Sequence, residues 1–316
     1  MKVSVAVTVY NEEASISALI NSLLKQTKKP SEIIIVDGGS EDKTVEIIKH
    51  YQKRDRRIKL IKEPGTISHG RNTSIEVAKN EVIVLTDAGC LAKNDWLEKI
   101  SEPFRYKEVN VVAGFYEMIG NQPLQKAVAV FLGIPSQRFD PTSFIPSARS
   151  MAFRKKVWEE VGGFREKLER AGEDTLFVYE VIKKGFKIVR VKDAIVYWEV
   201  PKTLSESLQK FFYYAKGDAQ SGIWWNPLKG LASHNIKVFS IFARYVLGFV
   251  FLFLAISGFF SILYLYVLVT LYLSYSIWKW RDVVFGWKER LWLPIIQISS
   301  DFAVMIGFIA GLIDKK

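Results

Sequence analysis

Two rhythms of apolar and polar positions alternate along the first ninety residues. Residues 3–9 are almost all β-branched or small and read as a buried strand. Ile16, Leu19, Ile20, Leu23 and Leu24 then recur at the helical period and predict an amphipathic helix, closed by a polar run ending at Pro30. The pair repeats. Residues 33–36, 58–61 and 82–86 predict further strands, and residues 41–54 and 69–79 predict the helices between them. This alternation predicts an α/β domain with a mostly parallel, doubly wound sheet and helices on both faces.

Beyond the fourth strand the pattern is less regular. Residues 94–104 read as a helix and residues 109–115 as a strand, whereas residues 121–147 are rich in proline and aromatics, without periodicity. That stretch is read as a long connection or a binding loop. A strand and a helix follow from Ser150 and close on Gly162-Gly163-Phe164; Glu173-Asp174 opens another helix. Residues 187–191 and 194–198 read as two short strands. Residues 204–217 form a helix carrying Phe211, Phe212, Tyr213 and Tyr214 beside Lys210 and Lys216, a composition suited to a membrane interface or to core packing.

From residue 238 the polar phase disappears. Residues 238–257, 260–277 and 293–313 each approach the roughly 20 apolar residues that a membrane span needs. Trp278-Lys279-Trp280-Arg281, with Lys288 and Arg290, reads as a basic interfacial loop. Asp301 lies inside the last apolar run, where an acid needs a partner, and Arg244 in the first run is the candidate. Trp224, Trp225, Pro227 and Lys229 mark a boundary. The expected organisation is therefore a domain over residues 1–228 and a membrane domain over residues 229–316 with two to three transmembrane helices.

Composition sharpens this. Of the 316 residues 49% are hydrophobic, concentrated in the last quarter, and the net charge is +11. No zinc knuckle, base-reading helix or aromatic RNA-binding pattern accompanies that charge, so nucleic acid is not an expected partner. A lipid bilayer and a phosphorylated small molecule are. Cys90 is the single cysteine, which excludes an intrachain disulfide. Met1-Lys2 runs straight into the first strand without an apolar leader, so the α/β domain is expected on the cytoplasmic side of the cell membrane, held by a multi-pass anchor.

The chemistry gathers where strands end, which is where open α/β sheets bind ligands. Thr8, Tyr10 and Glu12 follow the first strand, where a base or ribose can lie against backbone and ring. Asp37-Gly38-Gly39-Ser40 follows the second: an acid that can accept from a base N–H, glycines that admit close approach, and a serine that can also cap the turn. Arg71 can pair with a pyrophosphate. Asp87, after the fourth strand, can hold a ribose hydroxyl, a divalent cation, or both.

These stretches resemble the family-2 glycosyltransferases of the GT-A fold. The resemblance rests on Thr8-Val9-Tyr10-Asn11-Glu12-Glu13, Ile35-Val36-Asp37-Gly38-Gly39-Ser40-Glu41-Asp42-Lys43-Thr44, Gly70-Arg71-Asn72 and the strand ending in Asp87. Residues 150–164 and the Gly172-Glu173-Asp174 stretch fit as well, so the likeness covers about residues 1 to 220. It implies a GT-A (Rossmann-like) fold, followed here by C-terminal transmembrane helices. It also implies a UDP- or GDP-sugar donor. Tyr10, Glu12 and Asp37 would contact the nucleoside, Arg71 the diphosphate, and Asp87 the ribose and metal region. The Glu173-Asp174 pair would carry the catalytic base, normally the aspartate, as inverting transfer requires.

Two departures bear on function. The family usually shows Asp-x-Asp, whereas this chain reads Asp87-Ala88-Gly89, so any Mg²⁺ or Mn²⁺ would have Asp87 alone as its direct carboxylate ligand. The Gln-x-x-Arg-Trp of processive members is also missing, since Gln209 is followed by neither residue. The expected activity is transfer to a lipid-linked or membrane-proximal acceptor such as a polyprenyl phosphate or lipid-linked glycan. A processive polysaccharide synthase, or a non-catalytic scaffold retaining the fold, are the alternatives.

Overall fold

The computed structural model describes residues 1–168, 171–222, 224 and 234–314. In chain order the elements are β1 (Val3–Val9), α1 (Ile16–Leu24), β2 (Glu32–Asp37), α2 (Thr44–Arg54), β3 (Ile58–Lys62), α3 (Ile67–Glu76), β4 (Val82–Leu85), β5 (Cys90–Ala92), α4 (Trp96–Ser101), β6 (Val111–Ile119) and α5 (Pro123–Leu132). They continue with β7 (Met151–Arg154), α6 (Lys155–Val161), α7 (Glu173–Lys183), β8 (Ile188–Glu199), α8 (Leu204–Ser221), α9 (His234–Ile256), α10 (Ile262–Lys279) and α11 (Trp287–Ile313). Two compact units result: residues 1–118 with 139–199, and residues 119–138 with 200–316. The expected join at 228/229, with Trp225, Pro227 and Lys229, lies outside the described residues.

The first unit is built on an eight-stranded mixed sheet of order β3-β2-β1-β4-β7-β6-β8-β5. β3, β2, β1 and β4 are parallel, as the alternation predicts. β7 and β6 then reverse in turn, and β5 pairs antiparallel with β8, so only half of the sheet is parallel. Alternate residues of the parallel strands are buried on both faces: Val5, Ile33, Ile35 and Val84 on one, Ala6, Ile34, Val36, Ile83 and Leu85 on the other. Such strands need a helical layer on each side. Ile34, Ile83, Phe153, Phe164 and Phe177 join the core under α3, α6 and α7.

Several expected boundaries move. Residues 188–199 form one twelve-residue strand that runs unbroken through the exposed Lys192-Asp193 step. The expected loop at 121–147 contains α5, whose first turn is fixed by Pro123 and by reciprocal hydrogen bonds between Gln122 and Gln125. α3 begins two residues before His69, with the Thr66 hydroxyl accepting from the His69 amide at 3.2 Å, so Arg71 lies in its second turn.

In the second unit α9, α10 and α11 are each long and apolar enough to cross a membrane. α9 and α10 form an antiparallel hairpin turning at residues 257–261, with Phe251 packed against Phe260 near the turn. Lys237 of α9 and Lys279 of α10 stand at its open end. Asp301 of α11 is buried in the hairpin. It accepts from Arg244 at 2.8 Å, from Tyr245 at 3.3 Å, from Gln297 at 3.0 Å and from the Tyr272 hydroxyl. The partner expected for the acid in the last apolar run is thus the partner found. α11 also lies backbone to backbone against α8. A Cβ on Gly307 would overlap the Phe212 carbonyl, and one on Gly311 the Lys216 carbonyl, so this small-xxx-small pair is required by the close approach. Phe308 packs with Val238 and Phe242 near the start of α9, and Arg290 donates to the Val284 and Arg281 carbonyls just past α10.

Candidate active site

The parallel strands β2, β1 and β4 end on one edge, which sets Asp37, the Thr8–Glu12 stretch and Asp87 side by side. The loops after β1 and β2 are laced together. The Asn11 amide donates to Ser40 Oγ at 2.9 Å and the Glu41 amide to Asn11 Oδ1 at 2.9 Å, while the Glu12 amide donates to Thr44 Oγ1 at 2.7 Å. Asn11 holds φ 54°, a left-handed conformation that asparagine tolerates better than most side chains. Ser40 therefore shapes the loop. Asp37 is buried and accepts from the Gly39 and Ser40 amides, both at 3.2 Å, so its carboxylate is already oriented by its own turn. Tyr10 is 57% exposed and offers its ring beside that turn. Thr8 packs on Gly70 of α3, where an added Cβ would stand 2.9 Å from its methyl carbon.

Arg71 joins the two halves of the site. Its side chain is 4% exposed and forks between Asp87, at 2.9 Å, and Glu173. Burial alone would lower the guanidinium pKa; the carboxylates of Glu173, then Asp87 and Asp174, outweigh it and raise the pKa. Burial pushes the Glu173 carboxyl up, Arg71 opposes this and Asp174 adds to it; its second oxygen, Oε2, is buried without a hydrogen bond. Glu173 is therefore a buried partner of Arg71, whereas Asp174, next along α7, is half-buried. Asp174 Oδ2 accepts from the Ser147 hydroxyl at 3.2 Å and the Ala148 amide at 3.1 Å, and Oδ1 accepts from the Thr175 amide at 2.8 Å. Gly172, at φ 90°, makes the turn that starts this helix.

Asn72 plays a different part from its neighbour. It accepts from the Trp158 indole and the Phe164 amide, both at 2.9 Å, and donates to the Phe164 carbonyl and Glu166 at 2.8 Å. It thereby pins the Gly162–Glu166 turn. His69 bridges Glu166 and Glu63, and the hydrogen bond to Glu166, then that to Glu63, raises its pKa.

Asp87 keeps 30% of its side chain exposed. Among the described residues no three acidic, histidine or cysteine side chains converge as a metal-holding group. The donor set fits a divalent cation only as one carboxylate beside a ligand that brings its own oxygens. A Cβ on Gly89 would meet the Trp198 indole at 3.8 Å, an ordinary contact, so space is not the reason the second acid is missing. Burial and the nearby Asp87 push the Cys90 thiol up to about 12, with Arg149 opposing, which leaves Cys90 protonated and inert.

Comparison with known proteins identifies the family and the fold. A family model described as glycosyl transferase family 2 matches residues 4–162, and one described as glycosyl transferase family group 2 matches residues 126–278. A Bacillus subtilis (strain 168) protein described as uncharacterized glycosyltransferase EpsJ is 28% identical over 216 residues, 65% of this chain and 63% of its own length, less than two thirds of it. Glycosyltransferase AglE of Haloferax volcanii is 25% identical over 238 residues, 70% of this chain and 74% of AglE. Among solved structures, mannosyltransferase PcManGT from Pyrobaculum calidifontis in complex with GDP-Man and Mn²⁺ superposes with a TM-score of 0.71 at 18% identity, covering 100% of this chain and 88% of that one. Residues 1–349 of S. aureus TarS in complex with UDP-GlcNAc give 0.54 at 21% identity, covering 70% and 66%. These likenesses carry the fold.

Proposed function

The chain belongs to glycosyl transferase family 2, and from that premise we propose an inverting, membrane-anchored transferase that moves a sugar from a UDP- or GDP-sugar to a lipid-linked or membrane-proximal acceptor. The observation that carries this reading is the Arg71 fork, which locks Asp87 on the donor side and the Glu173-Asp174 turn into one frame. A base and a leaving group must be held at fixed separation for in-line displacement. Tyr10, Glu12 and Asp37 take the nucleoside at the ends of β1 and β2, with Thr8 and Ser40 shaping that pocket, and Asp87 takes the ribose.

Asp174 accepts the proton of the acceptor hydroxyl as its oxygen attacks the anomeric carbon. The bond from that carbon to the diphosphate oxygen breaks, the electron pair leaves with the nucleoside diphosphate, and the configuration inverts. The Ser147 hydroxyl and the Ala148 amide donate to the Asp174 carboxylate and keep it aimed. Mn²⁺ or Mg²⁺, when bound, would be held by Asp87 and would offset charge on the departing phosphate.

The three apolar helices supply the anchor, and residues 1–228 would face the cytoplasm. Holding a catalytic domain at the bilayer raises its effective concentration toward a lipid-borne acceptor. The test is transfer from UDP- and GDP-sugars to a polyprenyl phosphate and to lipid-linked glycans by the full chain in detergent. Asp174→Asn should lower turnover about 100- to 10,000-fold while leaving nucleotide affinity intact. Undiminished transfer by that variant sinks the assignment of the base, and long polymeric products would favour a processive synthase. No nucleotide binding by the natural chain would favour a scaffold.

A further inference from the structure

Arg149 stands where the missing acid leaves a gap in charge. β4 and β7 pair antiparallel up to Leu85 and Met151. Just past that last pair, Thr86-Asp87 leaves one strand and Arg149-Ser150 enters the other, so Asp87 and Arg149 flank the same point of the sheet edge. The guanidinium lies over two rings, its central carbon 4.3 Å from the centre of Trp198 and 5.0 Å from the centre of Tyr116. Trp198 is also the wall that a side chain at Gly89 would touch. Arg149 also donates to Ser147 Oγ at 3.3 Å, and that hydroxyl donates to Asp174. One side chain thus links the Asp87-Ala88-Gly89 corner with the candidate base.

Arg71 lies deeper, in a buried pocket between Asp87 and Glu173. A donor diphosphate brings about two negative charges to the end of β4. In an Asp-x-Asp site the second acid recruits a cation to meet them. Here that position is glycine, and a permanent cation is stacked against the same tryptophan. Arginine suits this role because it stays charged, its fork matches phosphate oxygens, and ring stacking fixes its plane before the ligand arrives.

We propose that Arg149 binds the donor diphosphate and supplies, at the end of β4, the positive charge that a second acid would otherwise bring in as a metal ion. The proposal rests on the nucleotide-sugar reading above and adds a diphosphate-binding residue to it. Arg149 would also stabilise the charge that develops on the leaving diphosphate.

The experiment is calorimetric titration of the full chain in detergent with UDP, GDP, uridine and guanosine, each with Mn²⁺ or with EDTA. For the natural chain, EDTA should change the affinity for the preferred diphosphate less than about threefold. Arg149→Gln should weaken that diphosphate by about 30-fold in EDTA, in line with a hydrogen bond between charged groups. Affinity for the matching nucleoside should move less than about twofold, and Arg149→Lys should fall in between. Gly89→Asp combined with Arg149→Gln should bind the diphosphate at least about tenfold tighter in Mn²⁺ than in EDTA, a difference that Arg149→Gln alone should lack. An unchanged diphosphate affinity in Arg149→Gln overturns the proposal. So does an equal loss for nucleoside and diphosphate, which would mark a structural role. Should the glutamine variant not fold, Arg149→Lys with undiminished diphosphate affinity and full dependence on Mn²⁺ overturns it too. Failure of the natural chain to bind any nucleotide would overturn the transferase reading beneath it.

Discussion

Replacing Arg71 by methionine should be among the most damaging single changes in the catalytic unit, and a second substitution should partly repair it. Methionine fills similar space but strips the cation from two carboxylates. Glu173 is 6% exposed at its side chain and cannot turn to water; Asp87 is 30% exposed and can. Breaking a buried ion pair from one side costs about 3–5 kcal/mol, and the hydration of Asp87 keeps the figure from doubling. Glu173→Gln alone should cost about 1–2 kcal/mol, because Arg71 retains Asp87 and an amide oxygen can still accept from it. Combining the two leaves only the part-hydrated Asp87 without its cation, so the double variant should lose about 2 kcal/mol, less than Arg71→Met alone. Removing Arg71 also removes what opposes the upward push of burial on the Glu173 carboxyl. A raised carboxyl pKa favours the folded state in acid and loses that contribution as pH climbs through the folded value, so Arg71→Met should regain stability on acidification. Thermal unfolding of the full chain in detergent, followed by tryptophan fluorescence between pH 5 and 8, measures all four proteins. A double variant as unstable as the sum of the singles would refute the view of this pair as one unit.

Other sites give sharper single tests. Gly114→Ala should cost about 2–3 kcal/mol, since the new methyl would overlap Ser150 Oγ and stand 2.8 Å from the Ala194 carbonyl. Adding Ser150→Gly should restore part of the melting temperature, although Trp96 would lose its 2.9 Å acceptor. Asp301→Leu should lower the unfolding temperature in detergent through a loss of about 3 kcal/mol, and Asp301→Asn should lose less, because Tyr272 and Arg244 keep an acceptor. His69 gains its raised pKa from Glu166 and Glu63. Its contribution is present below the ordinary histidine value and fades as pH rises through the folded one, so His69→Gln should flatten stability above about pH 6.5. At so exposed a bridge the change should stay under about 1 kcal/mol, and a flat profile in the natural chain would contradict it.

The parallel half of the sheet was legible because its strands are β-branched runs with a ligand-type residue at each end. Strand direction beyond β4 was not, since residue type does not say whether a strand reverses. β5 is three residues long and gives no period to read. α5 hid in a proline-rich stretch, where the usable signal was Gln122-Pro123 followed by Gln125, a proline in the first turn inside a reciprocal cap. Arg71 and Asp174 were visible as residue types, yet the burial that makes Glu173 a partner of Arg71 depends on packing from three separate segments. Arg149 gave no local sign, because the rings beside it, Tyr116 and Trp198, come from strands more than 30 residues away along the chain.

The contacts of α11 limit how the chain can thread a bilayer. This 27-residue helix is about 40 Å long and by length alone could be a third crossing. Near its start, Arg290 is tied to Arg281 and Val284, just past the open end of the α9–α10 hairpin. Near its finish, Phe308 sits with Val238 and Phe242, at that same open end. In between, Asp301 reaches only as deep as Arg244 and Tyr272, seven residues in from Lys237 and Lys279, or about 10 Å. A rod with both ends on one side of a sheet of lipid does not pierce it. If the hairpin goes through and returns, these contacts would lay α11 along one leaflet like a keel, with the exposed Leu291, Ile295, Phe302, Ile306 and Ile309 toward the acyl chains. The parity of traversals would then be even, and the chain would leave the membrane on the side from which it entered.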